Sequence, residues 1–484
     1  SSKNAAQLNR EFSSYFDNSK LLYKSYVLQG HADKIKSLTQ LLDKHEISYG
    51  FARDGNVTGF DYGSSEQGSL RMTANDLVVS TNQPKGKMVK ALLEPNAKLS
   101  DSLTYDITAW SLPYAYGLEA IASKNLVASQ KRITDTQIRT PNTKATGYAS
   151  NWNSLHDAQY LAALLKQNIK VRFTEKPFVS QGNTYARGAL IIVRGDNKDI
   201  QYFDQKVMDT ALEFKRFPDA ITSGFSTSGP DFGSPDIKLV SPPKIAMLSG
   251  EYTSSLSYGA LWHFFEQQLH YPVTSINTTD LLNTNLSKYN VLIMPDGYYG
   301  GLLDESLIGK IKTWVRAGGK LIALDGALNS FADKADFGLK RNQAADSIEV
   351  AKNKTIKYAD RERDNTKNLI TGAIFKTAVD NTHPMAFGYD DYYFTLKQGS
   401  SSYRLLDKGY NVAYLDDNPK NVSGYAGQEA LKQLHNSLIF GEQPLGSGSL
   451  IYIADDVLFR SFWENGKLFF VNSLFFVNNT MIEL

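Results

Sequence analysis

The 484-residue chain contains no cysteine, which excludes disulfide scaffolds, thiolate zinc sites and any cysteine nucleophile. Long hydrophobic runs are missing as well. The apolar stretch from Leu468 to Val477 is about half of the ~20 residues a helix needs to span a bilayer, so no membrane span is expected. Nor is there an excess of charge of one sign. Lys and Arg number 52 against 50 Asp and Glu, a formal net charge of +2, which offers no electrostatic footprint for nucleic acid or an anionic membrane surface. The segment Ser1 to Arg10 is polar and has no apolar core of a secretion signal. No Gly-x-Ser-x-Gly elbow occurs anywhere. Gly446-Ser447-Gly448-Ser449 lacks the following Gly-Lys-Ser/Thr of a phosphate loop and reads as a turn.

What is present is enough apolar sequence, 42% of residues, to bury a substantial core. At roughly 100 to 200 residues per domain, two to four domains are expected. The pattern is a loose internal repeat. A first copy runs from strand Tyr23–Gln29 through a helix carrying Ile35, Leu38, Leu41 and Leu42 to a short strand near Ile47–Ala52. After a Gly- and Ser-rich connection come Leu77-Val78-Val79 and a helix through Val89 and Leu93. A second copy starts at Thr146–Asn151 and repeats the order strand, helix, strand, strand, helix. A third starts at Lys244–Leu248. Continuous Val, Ile and Leu strands separated by amphipathic helices predict an α/β fold of repeated strand-helix-strand units with mostly parallel sheets.

The expected organisation is a polar lead-in over 1–22, a first α/β unit over 23–140 and a second over 141–235, which could form one domain with the first. The last domain covers 243–484, and Phe217–Pro243, rich in Gly and Pro, is the linker candidate. Asp333–Asn368 reads as a surface excursion, and Phe462–Phe476 as a helix packing back onto the sheet.

Candidate chemistry is sparse. His263, Glu266 and His270 share one flank of a predicted helix, yet one helix face seldom completes a tetrahedral metal shell. With Tyr258, Trp262, Phe265 and Leu269 as the apolar stripe, a solvated face is the expectation. His263-Phe264-Phe265-Glu266 matches the His-x-x-Glu of zinc carboxypeptidases only by coincidence, since it lies inside an amphipathic helix. The acidic pairs Asp390-Asp391, Asp416-Asp417 and Asp455-Asp456 read as caps and turns, and His383, ahead of a proline, as a loop anchor. The ligand-binding candidates are Asp296, Tyr298, Tyr299 and Asp325. They lie in two loops that follow buried strands, where open α/β sheets bind ligands, although the glycines there can equally serve only to turn the chain.

The run Tyr105-Asp106-Ile107-Thr108-Ala109-Trp110-Ser111-Leu112-Pro113-Tyr114-Ala115-Tyr116-Gly117-Leu118-Glu119-Ala120 resembles a segment of large bacterial zinc carboxypeptidase-like proteins of the carboxypeptidase A type. There it lies downstream of the metallopeptidase domain. Phe178–Asn197, His383-Pro384-Met385-Ala386-Phe387-Gly388 and the stretch from Gly446 through Phe459-Arg460 to Asn472 resemble further blocks of the same proteins. The resemblance implies a hydrolase parent with zinc in a peptidase domain that should stand before Tyr23, where only 22 residues stand here. It also implies secretion or a periplasmic location. Residues 243–484 resemble the class I glutamine amidotransferase-like domain, a flavodoxin-like sheet whose working members carry a cysteine at the strand-to-helix elbow. That elbow falls near Asp325-Gly326-Ala327, and a carboxylate cannot form the thioester intermediate.

The expectation is thus an accessory, C-terminal, non-peptidase region, with no catalytic residue and no metal or other cofactor of its own. Its partner would be its own peptidase domain in a longer polypeptide. The alternative is a stand-alone module binding a glycan or peptide near Asp296 and Asp325.

Overall fold

The computed structural model describes residues 4–96, 107–131, 141–342 and 357–477. Its first sheet is built from β1 (Ser25–Gln29), β2 (Gly50–Phe51), β3 (Gly55–Asp61), β4 (Glu66–Met72), β5 (Leu77–Ser80) and β6 (Glu119–Ser123), in the order β2-β5-β1-β6-β3-β4. The second unit supplies β7 (Gly147–Ser150), β8 (Arg172–Thr174), the hairpin β9 (Phe178–Ser180) and β10 (Asn183–Tyr185), β11 (Leu190–Val193), β12 (Asp219–Ile221) and β13 (Ile237–Leu239). Its five-stranded sheet has the order β12-β7-β11-β8-β13.

The internal repeat is real in these two units. The order β2-β5-β1-β6 in the first sheet has the counterpart β8-β11-β7-β12 in the second. Each unit places a helix between its first two strands, Ala32–Lys44 or Leu155–Lys166, and each inserts a hairpin before the next strand. All pairing in both sheets is antiparallel. The expected parallel pairing is therefore absent from both, because strands apolar on both faces tell of burial and not of direction. The connection expected after Ala52 is the hairpin β3–β4, whose outward positions are polar and whose burial is sparse. The linker candidate Phe217–Pro243 carries β12 and β13, the two edge strands of the second sheet, so its Gly and Pro residues are turns around short edges.

The third sheet has ten strands: β14 (Ile245–Ser249), β15 (Val273–Asn277), β16 (Val291–Met294), β17 (Lys320–Leu324), β18 (Ile370–Val379), β19 (Tyr392–Lys397), β20 (Tyr410–Tyr414), β21 (Asn421–Ala426), β22 (Leu438–Leu445) and β23 (Gly448–Ile453). The run β15-β14-β16-β17-β23 is wholly parallel. Taken in chain order, these five strands stand 2-1-3-4-5 across the sheet, which is the flavodoxin-like arrangement. β22, β20, β18, β19 and β21 extend it antiparallel. The helix Glu305–Arg316 follows β16; Asp304 caps it through the Leu307 N–H at 2.8 Å, and Leu307, Ile311 and Val315 form its buried face. The turn Gly446-Ser447 joins β22 to β23 as a two-residue hairpin loop, as its composition predicted. Of the expected surface excursion over 333–368, residues 343–356 lie outside the described residues; Lys357–Asn368 consists of short, largely exposed helical turns, whereas Phe337 and Leu339 are buried in the core beside the third sheet, so the segment over 333–342 is not surface.

One helix ties the three units together. Glu464–Phe475 buries every residue from Asn465 to Phe475. Such all-round burial needs polar groups satisfied inside the core. Trp152 Nε1 of the second unit donates to Asn472 Oδ1 at 2.8 Å, and Asn472 Nδ2 donates to the carbonyls of Met385 and Phe387 at 2.9 and 2.8 Å. From the first unit, Gly117 packs directly against Asn465. Lys320 at the start of β17 donates to the carbonyls of Ser473 and Leu474, the open end of this helix, at 2.9 Å each.

Candidate functional site

Three neighbouring parallel strands end in carboxylates on one edge of the third sheet. β16 runs into Pro295-Asp296, β17 into Asp325, and β23 through Ala454 into Asp455-Asp456. In an open α/β sheet this carboxyl edge is the ligand-binding edge.

Asp325 stands where β17 passes into the 3-10 turn Asp325–Ser330, and its φ of +46° is left-handed, a conformation that residues with a side chain rarely adopt. Burial, reinforced by the charges of Asp296 and Asp455 and opposed by Lys397, pushes its carboxyl up to about 7. Asp455 is engaged on both oxygens. Lys397 Nζ from β19 lies 3.0 Å from Oδ1, and the Thr395 hydroxyl donates to Oδ2 at 2.6 Å, all three side chains being buried. Asp456 accepts the Leu458 N–H at 2.9 Å, yet burial still pushes its carboxyl up to about 6.

Asp296 closes the group from the adjacent strand. Its Oδ1 accepts the backbone N–H of Gly326 at 3.0 Å, while its own N–H donates to Ser257 Oγ at 3.1 Å. Only glycine permits this approach: a Cβ at position 326 would meet Asp296 Oδ1 at 2.4 Å. The two expected carboxylates are therefore brought together, but the two expected tyrosines separate. Tyr298 is 80% exposed, whereas Tyr299 is fully buried. The Tyr299 hydroxyl donates to the Pro295 carbonyl at 3.0 Å and lies 3.2 Å from Thr253 Oγ1. Tyr299 is a core residue, because the turn after Gly297 points consecutive side chains to opposite sides.

Lys397, Thr395, Asp455 and Asp456 were not singled out as ligand-site residues in the sequence. The signal was there in the recurrence of an aspartate directly after each apolar strand: Met294-Pro295-Asp296, Leu324-Asp325, Ala454-Asp455.

This arrangement has the backbone of a nucleophile elbow without its chemistry. The N–H after the elbow residue is the donor that acyl-transfer sites aim at a developing oxyanion. Here that N–H, on Gly326, is already bonded to Asp296. What the site does hold is the buried Asp325 carboxyl, pushed up to about 7, a group able to donate a hydrogen bond to a bound acceptor.

The remaining candidates have structural partners. The helix Ser255–His263 passes into a π-helical turn, Phe264–Leu269, which shifts the register; Leu261, Phe264, Phe265 and Leu269 face the core, and Trp262 moves to the surface, stacked on Tyr258. His263 Nδ1 lies 3.1 Å from Ser461 Oγ, and His270 Nδ1 lies 2.9 Å from the Glu266 carbonyl. Among the described residues no group of three or more His, Cys, Asp or Glu is placed to hold a metal ion. His383 accepts the Met385 N–H at Nδ1 and meets Glu442 Oε2 at 2.8 Å through Nε2, so both ring nitrogens anchor the loop. No helix among the described residues is long and apolar enough to cross a membrane.

No family model matches the chain, and no curated protein matches it in sequence. Solved structures similar to it include a ThuA-like protein from Bacteroides uniformis, at 12% identity over 48% of this chain and 89% of that one, with a TM-score of 0.30. A glutamine amidotransferase from Thermotoga maritima is similar at 8% identity over 48% of this chain and 96% of that one, TM-score 0.30. An exo-β-1,4-mannosidase from an Opitutaceae bacterium is similar at 11% identity over 48% of this chain, TM-score 0.28, and this chain spans only 35% of its length.

Proposed function

We propose that this chain is a non-catalytic accessory region of a zinc carboxypeptidase-like hydrolase, docking on and assisting a peptidase domain that supplies the zinc. The resemblance of the run from Tyr105 to Ala120 to such proteins supports the parent. The observation that carries the non-catalytic half of the reading is the occupied elbow: Asp325 replaces the nucleophile and the Gly326 N–H is committed to Asp296. Both ingredients of amide hydrolysis by the amidotransferase route, a thiolate and a free oxyanion donor, are thereby lost together. Secretion or a periplasmic location goes with this reading.

The test is an assay of the purified chain for release of C-terminal amino acids, with and without zinc, alongside a glutaminase assay. No turnover in either is expected, and turnover abolished by chelation would refute the proposal. Detection of the native product as a polypeptide much larger than 484 residues would support the parent; a product of this size alone would favour the second reading.

That second reading is a stand-alone module binding a glycan or peptide at the Asp296–Asp325 edge. It is favoured by the left-handed, proton-holding Asp325 and by the exposed ring of Tyr298 in the loop that follows the neighbouring strand. Replacing Tyr298 with Ala should weaken binding to a glycan or peptide array without unfolding the sheet; unchanged binding would remove this site.

A further inference from the structure

The lead-in before β1 folds as the helix Ala5–Phe16, and not one of its residues is buried. A free helix of ~12 residues is marginal in water, so one that forms without a buried face points to burial supplied from outside the protomer. Its apolar residues share one face. Ala5, Leu8, Phe12 and Tyr15 follow the alternating spacing of three and four that makes a helix–helix seam, with Phe16 beside them. Leu8, Phe12, Tyr15 and Phe16 are 55, 67, 57 and 43% exposed. Their three rings form one cluster: Phe12 and Tyr15 each meet Phe16 edge-on, at centroid distances of 5.0 and 5.1 Å. The four side chains expose about 450 Å² in all, the size of patch that marks a contact site on a soluble protein.

The helix is not a loose tail. Lys87 of the helix Gly86–Leu93 donates to the Ser14 carbonyl at 3.2 Å, and its ammonium stands 4.6 Å from the centre of the Tyr15 ring. Just beyond, Asn18 Nδ2 donates to the Gln83 carbonyl at 2.7 Å. The apolar face is thus presented in a fixed direction. It is also complementary to itself when two copies run antiparallel. Ala5 at one end then lies under Tyr15 and Phe16 of the other copy, and Leu8 meets Phe12, so smaller residues face larger ones, as a two-fold contact requires. The ends match in charge as well. The N-terminal end has neither a side-chain cap nor an acid in its first turn, and Asp17 follows the C-terminal end. A formal net charge of +2 over the whole chain sets up little repulsion between copies.

We propose that the helix Ala5–Phe16 is a self-association surface, pairing antiparallel with the same helix of a second copy of this chain about a two-fold axis. Two such faces bury about 900 Å² together, below the ~1,200 Å² at which stable interfaces begin, so the dimer forms reversibly and weakly. The surface is separate from the Asp296–Asp325 edge and does not depend on the accessory reading.

The experiment uses the whole chain. Sedimentation velocity should show the 53.9 kDa monomer passing into a dimer as concentration rises, half-assembled at roughly 10–100 μM. Phe12→Glu and, separately, Leu8→Glu should each weaken the dimer about tenfold or more. Neither should lower the melting temperature of the dilute protein, since neither side chain is buried in the protomer. Asp17→Asn reads the direction of pairing. It should weaken an antiparallel dimer about threefold, by taking a carboxylate from the start of the other helix, whereas a parallel dimer, with the two carboxylates side by side, would be strengthened. A chain that stays monomeric up to about 300 μM, a dimer unmoved by both glutamate variants, or strengthening by Asp17→Asn would each overturn the proposal. So would a monomer that instead binds phosphatidylglycerol vesicles through Leu8 and Phe12.

Discussion

Arg216 and Asp157 are bound side by side in the protein interior, Nη1 donating to Oδ1 at 2.8 Å, and the same guanidinium reaches Asp33 through Nη2 at 2.9 Å. Asp33 and Asp157 occupy the first turns of the two helices that the repeat makes equivalent, Ala32–Lys44 and Leu155–Lys166. One arginine therefore joins corresponding points of the first two units. Burial works against the Asp33 carboxylate, but Arg216 and the Ser154 hydroxyl outweigh it and hold it below the usual range. Arg216→Met should cost about 3–5 kcal/mol, because it strands two carboxylates in a desolvated site. Urea unfolding followed by circular dichroism measures it; a loss under about 1 kcal/mol would show that water, not the arginine, satisfies the pair.

How much of this was legible beforehand depends on what each segment encodes. Ile245–Leu248, Val291–Met294 and Lys320–Leu324 were visible as buried strands because a parallel sheet covered on both sides demands unbroken apolar runs. The repeat was visible for the same reason, and Val79 of β5 and Ile192 of β11 do lie in corresponding central strands. Direction was not visible, since burial is indifferent to it. β3 and β4 were missed because a partly exposed hairpin at a sheet edge, with Gly55, Gly59 and Gly68 in its strands, carries little apolar signal. At the candidate site, Asp296 and Asp325 were readable from their place after a strand. Lys397 was not, because it comes from an antiparallel strand added to the flavodoxin-like core, a contact only the fold creates.

The carboxyl edge should give the protein an unusual pH response. Asp325 and Asp456 titrate near 7 and near 6, above their values in the unfolded chain. Their contribution to stability is therefore fully present below about pH 4 and is lost as the pH rises through about 6 to 7. Asp325→Asn removes the larger part and keeps a residue type tolerant of left-handed backbone. It should stabilise the protein by roughly 1–3 kcal/mol at about pH 8 and flatten the dependence between about pH 5 and 8. Urea midpoints across that range provide the check, and a variant with the parent slope would contradict the assignment.

Lys320 opposes that trend. Burial pulls its ammonium down to about 7 although Glu442 and two helix-end carbonyls favour the charge. A depressed lysine contributes stability that is present above its unfolded value and lost as the pH falls through about 7. Lys320→Met should therefore be tolerated better at about pH 6 than at about pH 9, relative to the parent at each pH. Equal costs at the two pH values would mean that the helix-end carbonyls keep the ammonium charged throughout.

The Lys397–Asp455 pair tests whether the edge is held by charge or by packing. Both groups are almost fully buried, and Thr395 alone remains to satisfy Asp455 if the lysine goes. Lys397→Met should cost about 3–5 kcal/mol, while Lys397→Met with Asp455→Leu should recover most of it, because the penalty comes from the stranded carboxylate. Thermal or urea unfolding of the cycle gives the coupling. Additive losses would place the effect in packing instead.

Gly117 offers the sharpest separation of backbone from contact. It ends the helix Leu112–Tyr116 with φ of +59°, and a Cβ there would stand 2.1 Å from Asn465 Oδ1 on the helix Glu464–Phe475, which is buried from Asn465 onward. Gly117→Ala therefore meets two penalties. The left-handed backbone alone costs about 1 kcal/mol for a residue with a side chain, and the clash adds to it because the buried helix has little room to shift. In a protein already carrying Asn465→Ala the clash is relieved and the backbone cost stays. Gly117→Ala should thus destabilise the parent protein by about 2–4 kcal/mol and the Asn465→Ala background by about 1 kcal/mol. Equal losses in the two backgrounds would mean that the first unit does not press on this helix through Gly117.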